Sequence, residues 1–234
     1  MTQTLTQKQA DDAVGGPKGA TIEAIAAVAD AVVCGGLELA LGAVVAPAVT
    51  TFPPIRARSY RGGGNLPVTR VVIHTTQGPC SPEAARNVAE WFRHDDCKVS
   101  SHYVVDPSEV VQCVLEEDTA WHAPPNAGSV GIELCGVSDE TDWESTCGKL
   151  ELSLAVDLVA DICQRHSLPA VWLTVEQVRA GERGITGHAE VGQAFTKSSH
   201  TDPGRHFPRQ NFIKAVREKM GGPCWRQNPP VCTV

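Results

Sequence analysis

The sequence has few aromatic residues, no excess of basic charge and no uninterrupted apolar run long enough to cross a membrane. Only 5% of its 234 residues are aromatic, and none of these lies in residues 1–50. The formal net charge of −7 argues against a nucleic-acid partner, because such proteins neutralise phosphates with clustered Lys and Arg. The most apolar stretch, residues 21–49, contains Glu23, Asp30 and Glu38. Stable membrane insertion is therefore not expected.

The chain has nine cysteines but no CxxC pair, which argues against a cysteine-rich structural zinc site. An odd number leaves at least one thiol unpaired in a monomer, and buried free thiols in a reducing compartment are the favoured interpretation. Two disulfides are the candidates in an oxidising compartment. Cys80 and Cys97 bracket a predicted helix, and Cys224 and Cys232 lie near the end of the sequence.

Composition divides the sequence into three parts, with a boundary near Pro53-Pro54. Residues 1–55 form a leader with one predicted amphipathic helix and a linker, residues 56–220 a catalytic domain, and residues 221–234 a tail. The leader helix is expected to dock on protein rather than on a membrane surface, because Lys8 and Lys18 are the only cations of residues 1–55. No basic segment leads into an apolar one at the start, so we expect synthesis in the cytosol without a signal peptide.

Residues 67–219 have the pattern of a mixed α/β domain. Residues 68–74 are β-branched and apolar, which predicts a buried strand with His74 at its end. Ser81, Pro82 and an early acid predict the start of a helix with Ser81 as its cap. Further strands are predicted over residues 102–105, 110–114 and 130–134, and helices over residues 150–166 and 209–219.

Two imidazoles and two carboxylates stand out as candidates for metal-assisted hydrolysis. A catalytic zinc ion takes three protein ligands and keeps one position open, while a separate acid handles protons. His74, His188 and Asp202 supply such a ligand set, and Glu133 on a predicted strand is the separate acid. From the residues alone His200 is a rival to His188, because side chains two apart on an extended segment point the same way.

These residues lie in motifs that resemble zinc-dependent N-acetylmuramoyl-L-alanine amidases of the peptidoglycan-recognition superfamily, particularly endolysins of phages that infect actinobacteria. The resemblance covers about residues 68–219 and follows the family's order. Its motifs are the strand ending in His74, Ser101-His102-Tyr103, Ala120-Trp121-His122-Ala123, Ser129-Val130-Gly131-Ile132-Glu133, Thr186-Gly187-His188 and His200-Thr201-Asp202-Pro203-Gly204. It implies a central mixed β-sheet flanked by helices, with His74, His188 and Asp202 holding one Zn²⁺ per chain.

The resemblance also implies roles for the neighbouring residues. Glu133 activates the attacking water, His200 supports the developing oxyanion, and Trp121 and His122 contact substrate. Some phage amidases have a catalytic tyrosine just before the strand histidine, whereas this chain has Ser101 before His102. Tyr103 is expected on the opposite side of the strand, and His102 is expected to be buried.

The implied activity is hydrolysis of the amide between N-acetylmuramic acid and the L-alanine of the peptidoglycan stem peptide. A phage endolysin that acts as a monomer on the bacterial cell wall is the favoured interpretation. A cytosolic muropeptide-recycling amidase and a non-catalytic peptidoglycan-binding module are the alternatives. The first differs in cleaving small soluble fragments, and the second is expected to lack a ligand.

Overall fold

The computed structural model describes residues 54–221. The predicted leader helix and the proposed Cys224–Cys232 disulfide lie outside these residues. Within them, six helical segments surround two sheets. No helix of residues 54–221 combines the length and apolarity needed to cross a bilayer.

The central sheet has five strands in the order β4-β3-β6-β2-β7. Strand β2 lies between β6 and β7 and is parallel to both, β3 is parallel to β6, and the edge strand β4 is antiparallel to β3. A separate antiparallel pair joins β1 and β5. The strands are β1 (Tyr60–Gly64), β2 (Arg70–Thr75), β3 (Tyr103–Val105), β4 (Val110–Gln112), β5 (Asp118–Ala120), β6 (Ser129–Leu134) and β7 (Gly184–Gly187). The predicted central mixed sheet is therefore confirmed.

The helices lie on both faces of this sheet. They are α1 (Ala84–Phe92), α2 (Thr146–Arg165), α3 (Val175–Arg179), α4 (His188–Val191), a π-helical turn (Gly192–Thr196) and α5 (Arg209–Lys219). The predicted helix over residues 209–219 has the bounds expected, while α2 begins four residues before the predicted start.

The two faces of β2 have different roles, because successive side chains on a strand point to opposite faces. Val71 and Ile73 join the largest apolar cluster, which includes residues of α2 and α5. Val72 faces the other way and packs in a smaller cluster with Val178 of α3 and Val191 of α4. Arg70, Val72 and His74 share that second face, which therefore carries the candidate site.

The predicted cap of α1 is wrong. Glu83, with φ of 70°, occupies the N-cap position and its side chain makes no capping hydrogen bond. Instead, the Ala85 N–H donates to Asp106 Oδ2 at 3.0 Å, so a carboxylate from the β3–β4 connection satisfies the helix end. Asp106, which is distant in sequence, therefore takes the place of the predicted cap Ser81. The sequence of residues 81–83 does not indicate this.

The proposed Cys80–Cys97 disulfide is also wrong, because Cys80 is bonded to Cys147. The segment after β2 turns toward the start of α2 rather than remaining beside α1, and Cys97 is a buried free thiol. The prediction of buried free thiols is confirmed for four cysteines of the described part. These are Cys97, Cys113, Cys135 and Cys163.

Reduction of the Cys80–Cys147 disulfide is expected to lower the free energy of unfolding by about 4 kcal/mol. The bond closes a loop of 67 residues, and loops of this size restrict the unfolded chain by about that amount in the chain-entropy treatment. Urea unfolding with and without dithiothreitol measures the change. The double variant Cys80→Ser/Cys147→Ser is the control, since the reductant has no bond to break there. Equal midpoints for oxidised and reduced wild-type protein would contradict the expectation.

Candidate metal centre

The three candidate ligands come from adjacent strand ends and one loop. His74 lies near the end of β2, and His188 is the first residue of α4, directly after β7. Because β2 and β7 pair in parallel with Ile73 opposite Gly187, their ends bring these two imidazoles together. Asp202 reaches them from the loop before α5, where its carbonyl accepts the Ala189 N–H at 2.9 Å. The short strand β7 is not among the strands predicted from the sequence.

The donor atoms form a nearly equilateral triangle. His74 Nδ1 lies 3.1 Å from His188 Nδ1, and Asp202 Oδ2 lies 3.2 Å from each nitrogen. Tetrahedral zinc with bonds of about 2.0–2.1 Å places its ligand atoms about 3.3 Å apart. The triangle therefore has the size that such an ion requires, and the group can hold a metal ion.

Burial and charge favour the ligand forms of these side chains. His74, His188 and Asp202 are all buried. Burial lowers the pKa of His74, which favours the neutral imidazole that coordinates metal. Burial alone disfavours the Asp202 carboxylate, but the contacts with His188 and His74 outweigh it and hold the pKa of Asp202 well below its usual range.

The other nitrogen of His74 begins a chain of hydrogen bonds. His74 Nε2 lies 3.0 Å from His122 Nδ1, His122 Nε2 lies 3.1 Å from Ser129 Oγ, and the Ser129 hydroxyl donates to Asn126 O at 2.6 Å. When a metal ion is bound to His74 Nδ1, the Nε2–H of His74 donates to His122. His122 then donates to the Ser129 hydroxyl, and that hydroxyl donates to the Asn126 carbonyl. Metal-ligating histidines are commonly oriented by such partners.

The position of the His122 ring depends on Gly131. A Cβ on Gly131 would lie 2.6 Å from Cγ of His122, so any larger residue would displace the imidazole. Burial, followed by the positive charge that His74 and its neighbours would carry when protonated, lowers the pKa of His122 well below its usual value. The ring is therefore neutral, as the hydrogen-bond chain requires.

Glu133 lies beside this group on β6, opposite His74 in the parallel register. Its Oε2 is buried and has no hydrogen-bond partner among residues 54–221. Burial and then the Asp202 carboxylate raise the pKa of Glu133 to about 8. A divalent cation on the neighbouring donors would lower it again. An unpaired carboxyl beside three metal donors is arranged to exchange protons.

His200 lies at the edge of the triangle rather than in it. Its side chain is 57% exposed, its ring stacks on His188 with 3.9 Å between centroids, and its Nδ1 lies 3.5 Å from Asp202 Oδ1. The three-donor group contains His188 and not His200. The exposed imidazole therefore lies at the solvent-facing edge of the three-donor group.

The remaining motif residues separate into exposed and buried ones. The Trp121 side chain is 40% exposed next to His122. His102 is buried, as predicted, with its Nδ1 accepting the Gly131 N–H at 3.0 Å. Tyr103 lies on the opposite side of the sheet from Glu133, again as predicted, and donates to Glu116 Oε1 at 2.8 Å.

A close backbone contact fixes the loop that carries Asp202. Gly204 has φ of +90°, and a Cβ there would lie 1.6 Å from Ser138 O. Only glycine fits at this crossing. Ser138 is itself tied to β2, since its hydroxyl lies 2.9 Å from Thr75 Oγ1. The Asp202 loop is therefore held against the strand that supplies His74.

Sequence reasoning missed Ser129, Asn126 and Arg70 in this region. Ser129 and Asn126 complete the chain behind His122. Ser129 begins one of the recognised motifs but no role was predicted for it, and Asn126 lies outside the motifs. Arg70 could have been recognised from the sequence. It is a charged residue near the start of a buried strand, and it shares a face of that strand with His74.

The chain is similar to known proteins in sequence and in fold. Residues 64–205 match a family described as N-acetylmuramoyl-L-alanine amidase. The N-acetylmuramoyl-L-alanine amidase XlyA of Bacillus subtilis (strain 168) is 28% identical over 96 residues, which are 39% of this chain and 32% of that protein. CwlL of Bacillus licheniformis, of the same description, is 29% identical over 119 residues, 43% and 31% of the respective chains. The chain thus matches about a third of each relative's length.

Among solved structures, the Staphylococcus aureus hydrolase AmiA in complex with its ligand is similar with a TM-score of 0.52. It is 16% identical in sequence, and the similarity covers 73% of this chain and 80% of that one. At this identity the likeness concerns the fold alone.

Proposed function

Because the chain belongs to the N-acetylmuramoyl-L-alanine amidase family, we propose that it hydrolyses the amide between N-acetylmuramic acid and the L-alanine of the peptidoglycan stem peptide. The observation that carries the proposal is the buried triangle of His74, His188 and Asp202 beside the unpaired carboxyl of Glu133. Three donors with a proton-transfer group at their side are what metal-assisted amide hydrolysis needs.

The metal in this proposal is one Zn²⁺ per chain, held by His74, His188 and Asp202. Two imidazoles and a carboxylate suit zinc, and the donor spacing of 3.1–3.2 Å fits tetrahedral bonding. Zinc in such a site supplies Lewis acidity toward the amide carbonyl and makes water acidic enough to attack near neutral pH.

Glu133 is the proposed general base and acid. It takes a proton from the attacking water and then delivers it to the departing amine nitrogen of L-alanine. Because its Oε2 has no hydrogen-bond partner in the described part of the chain, the carboxyl is free for both transfers. Ser101 precedes His102, and Tyr103 points away from Glu133, so Glu133 carries this proton chemistry without a tyrosine.

His200 is the proposed oxyanion partner, and Trp121 and His122 are the proposed substrate contacts. The exposed His200 imidazole is stacked on His188 at the edge of the metal group, within reach of a carbonyl oxygen bound there. His122 also orients His74, so its replacement should disturb both functions.

The proposed role is that of an endolysin from a phage of actinobacteria. In this role the chain acts at the bacterial cell wall as a monomer, with peptidoglycan as its macromolecular partner. The resemblance of the sequence motifs to those of phage endolysins supports this role.

Purified cell walls test the activity directly. Zinc-loaded protein should lower their turbidity and release new L-alanine amino termini, whereas chelated protein should do neither. Cleavage of small soluble muropeptides alone would identify a recycling enzyme, and wall binding without cleavage would identify a non-catalytic module. New reducing sugar ends in place of amino termini would contradict the amidase assignment.

A further inference from the structure

Arg70 is a buried cation on the face of β2 that carries the candidate site. Arg70 is only 7% exposed, and no carboxylate of residues 54–221 forms an ion pair with its guanidinium. Nη2 donates to Pro125 O at 3.0 Å, while Nε is buried without any hydrogen-bond partner in the described part of the chain. Buried charges are ordinarily paired, because removing a lone charge from water is strongly unfavourable. An anion from outside these residues would complete the site.

The position of Arg70 connects it to the candidate metal centre. Arg70 and His74 share one face of β2, four residues apart, which corresponds to about 13 Å along the strand. Arg70 is also paired in register with Ser129, the residue that accepts from His122. One continuous row therefore runs from the metal donors through His122 and Ser129 to Arg70.

Two exposed residues border the Arg70 guanidinium. The Phe195 ring of the π-helical turn lies 5.7 Å from Cζ and is 42% exposed. Pro125, whose carbonyl accepts from Nη2, is exposed in the loop that follows Trp121 and His122. When an aromatic ring packs on the face of a guanidinium, the N–H groups at the edge of the guanidinium remain available for a planar hydrogen-bond acceptor. A carboxylate matches that edge through two parallel hydrogen bonds.

We propose that Arg70 binds a carboxylate of the stem peptide and so makes the enzyme selective for acidic stems. This inference rests on the proposed function and adds the substrate class. An extended peptide rises about 3.3 Å per residue, so a carboxylate paired with Arg70 belongs to the second to fourth stem residue counted from the scissile amide. Phe195 covers the pair and reduces its exposure to water.

The test compares two soluble substrates that differ only in charge. One N-acetylmuramoyl peptide carries free carboxylates on its second, third and fourth residues, and the other carries carboxamides there. Wild-type protein is expected to have a kcat/KM at least tenfold higher for the free acid. In Arg70→Met the ratio should fall to about one. Arg70→Lys keeps the charge without the planar fork and should show an intermediate ratio.

Arg183→Met is the matched control, because Arg183 also donates to a single backbone carbonyl, that of His166 at 2.8 Å. It should keep the wild-type ratio. Thermal unfolding checks the fold of each variant, and Arg70→Met should melt at or above the wild-type temperature, since it removes an unpaired buried charge. Preference for the free acid that survives in a folded Arg70→Met protein would overturn the proposal.

Binding of uncleavable stem peptides separates this inference from the proposed activity. In calorimetric titrations, the free-acid peptide should bind wild-type protein at least tenfold more tightly than the amidated peptide, and Arg70→Met should remove the difference. Equal affinities in wild type would overturn the role of Arg70 even if the walls are cleaved. Selective binding without cleavage of any substrate would support Arg70 and contradict the amidase activity.

Discussion

Glu133→Gln is expected to lower kcat on cell walls or soluble muropeptides by about 100- to 10,000-fold, the range over which general acid–base catalysis contributes. Glutamine keeps the size of the side chain but can neither accept the water proton nor deliver it to the leaving nitrogen. The zinc content should stay at one ion per chain, because Glu133 is not among the three clustered donors. Steady-state kinetics and metal analysis of the same preparation measure both.

Glu151→Gln is a close control for this substitution. Glu151 is also a buried glutamate whose pKa burial raises to about 8, but it accepts the Cys135 N–H near the disulfide instead of facing the metal donors. Its replacement should leave kcat within a few fold of wild type. Comparable losses in both variants would show that Glu133 acts through stability, and full activity of Glu133→Gln would remove it from the mechanism.

Zinc is expected to stabilise the protein strongly, and His188→Ala to abolish that effect. A ligand that binds only the folded state at about 1,000 times its Kd stabilises it by about 4 kcal/mol. For a domain of this size the melting temperature rises by about 8–16 °C. Without His188 only two of the clustered donors remain, so added zinc should no longer shift the melting temperature.

His94→Ala is the control for the loss of an imidazole, since His94 is exposed at the end of α1 and outside the three-donor group. It should retain the full zinc-dependent shift. A shift that persists in His188→Ala would place the stabilising ion elsewhere, with His200 as the first residue to replace next.

Elements with strong local patterns were predictable from sequence. The β-branched run before His74 and the periodic apolar residues of α2 and α5 specify their structures because each buries a continuous face. Strand β7 is only four residues long with glycine at both ends, so its identity comes from pairing with β2 rather than from its own composition. The Ser81 cap and the Cys80–Cys97 pair failed for a related reason. Both assumed local partners where distant ones are used.

In the candidate site too, local patterns were predictable and contacts between distant residues were not. Motif order suggested that His74, His188 and Asp202 belong together, although residue spacing alone did not distinguish His188 from His200. The chain from His122 through Ser129 depends on Gly131 leaving room for an imidazole, which is a property of the folded sheet. The isolation of the Arg70 charge likewise becomes visible only when its neighbours are known.

Anomalous diffraction at the zinc absorption edge, from crystals of zinc-loaded protein, tests the central claim most directly. A single peak per chain is expected within about 2.0–2.2 Å of His74 Nδ1, His188 Nδ1 and Asp202 Oδ2, with a fourth position open to solvent. A peak bound through His200, or no peak near this triangle, would contradict it.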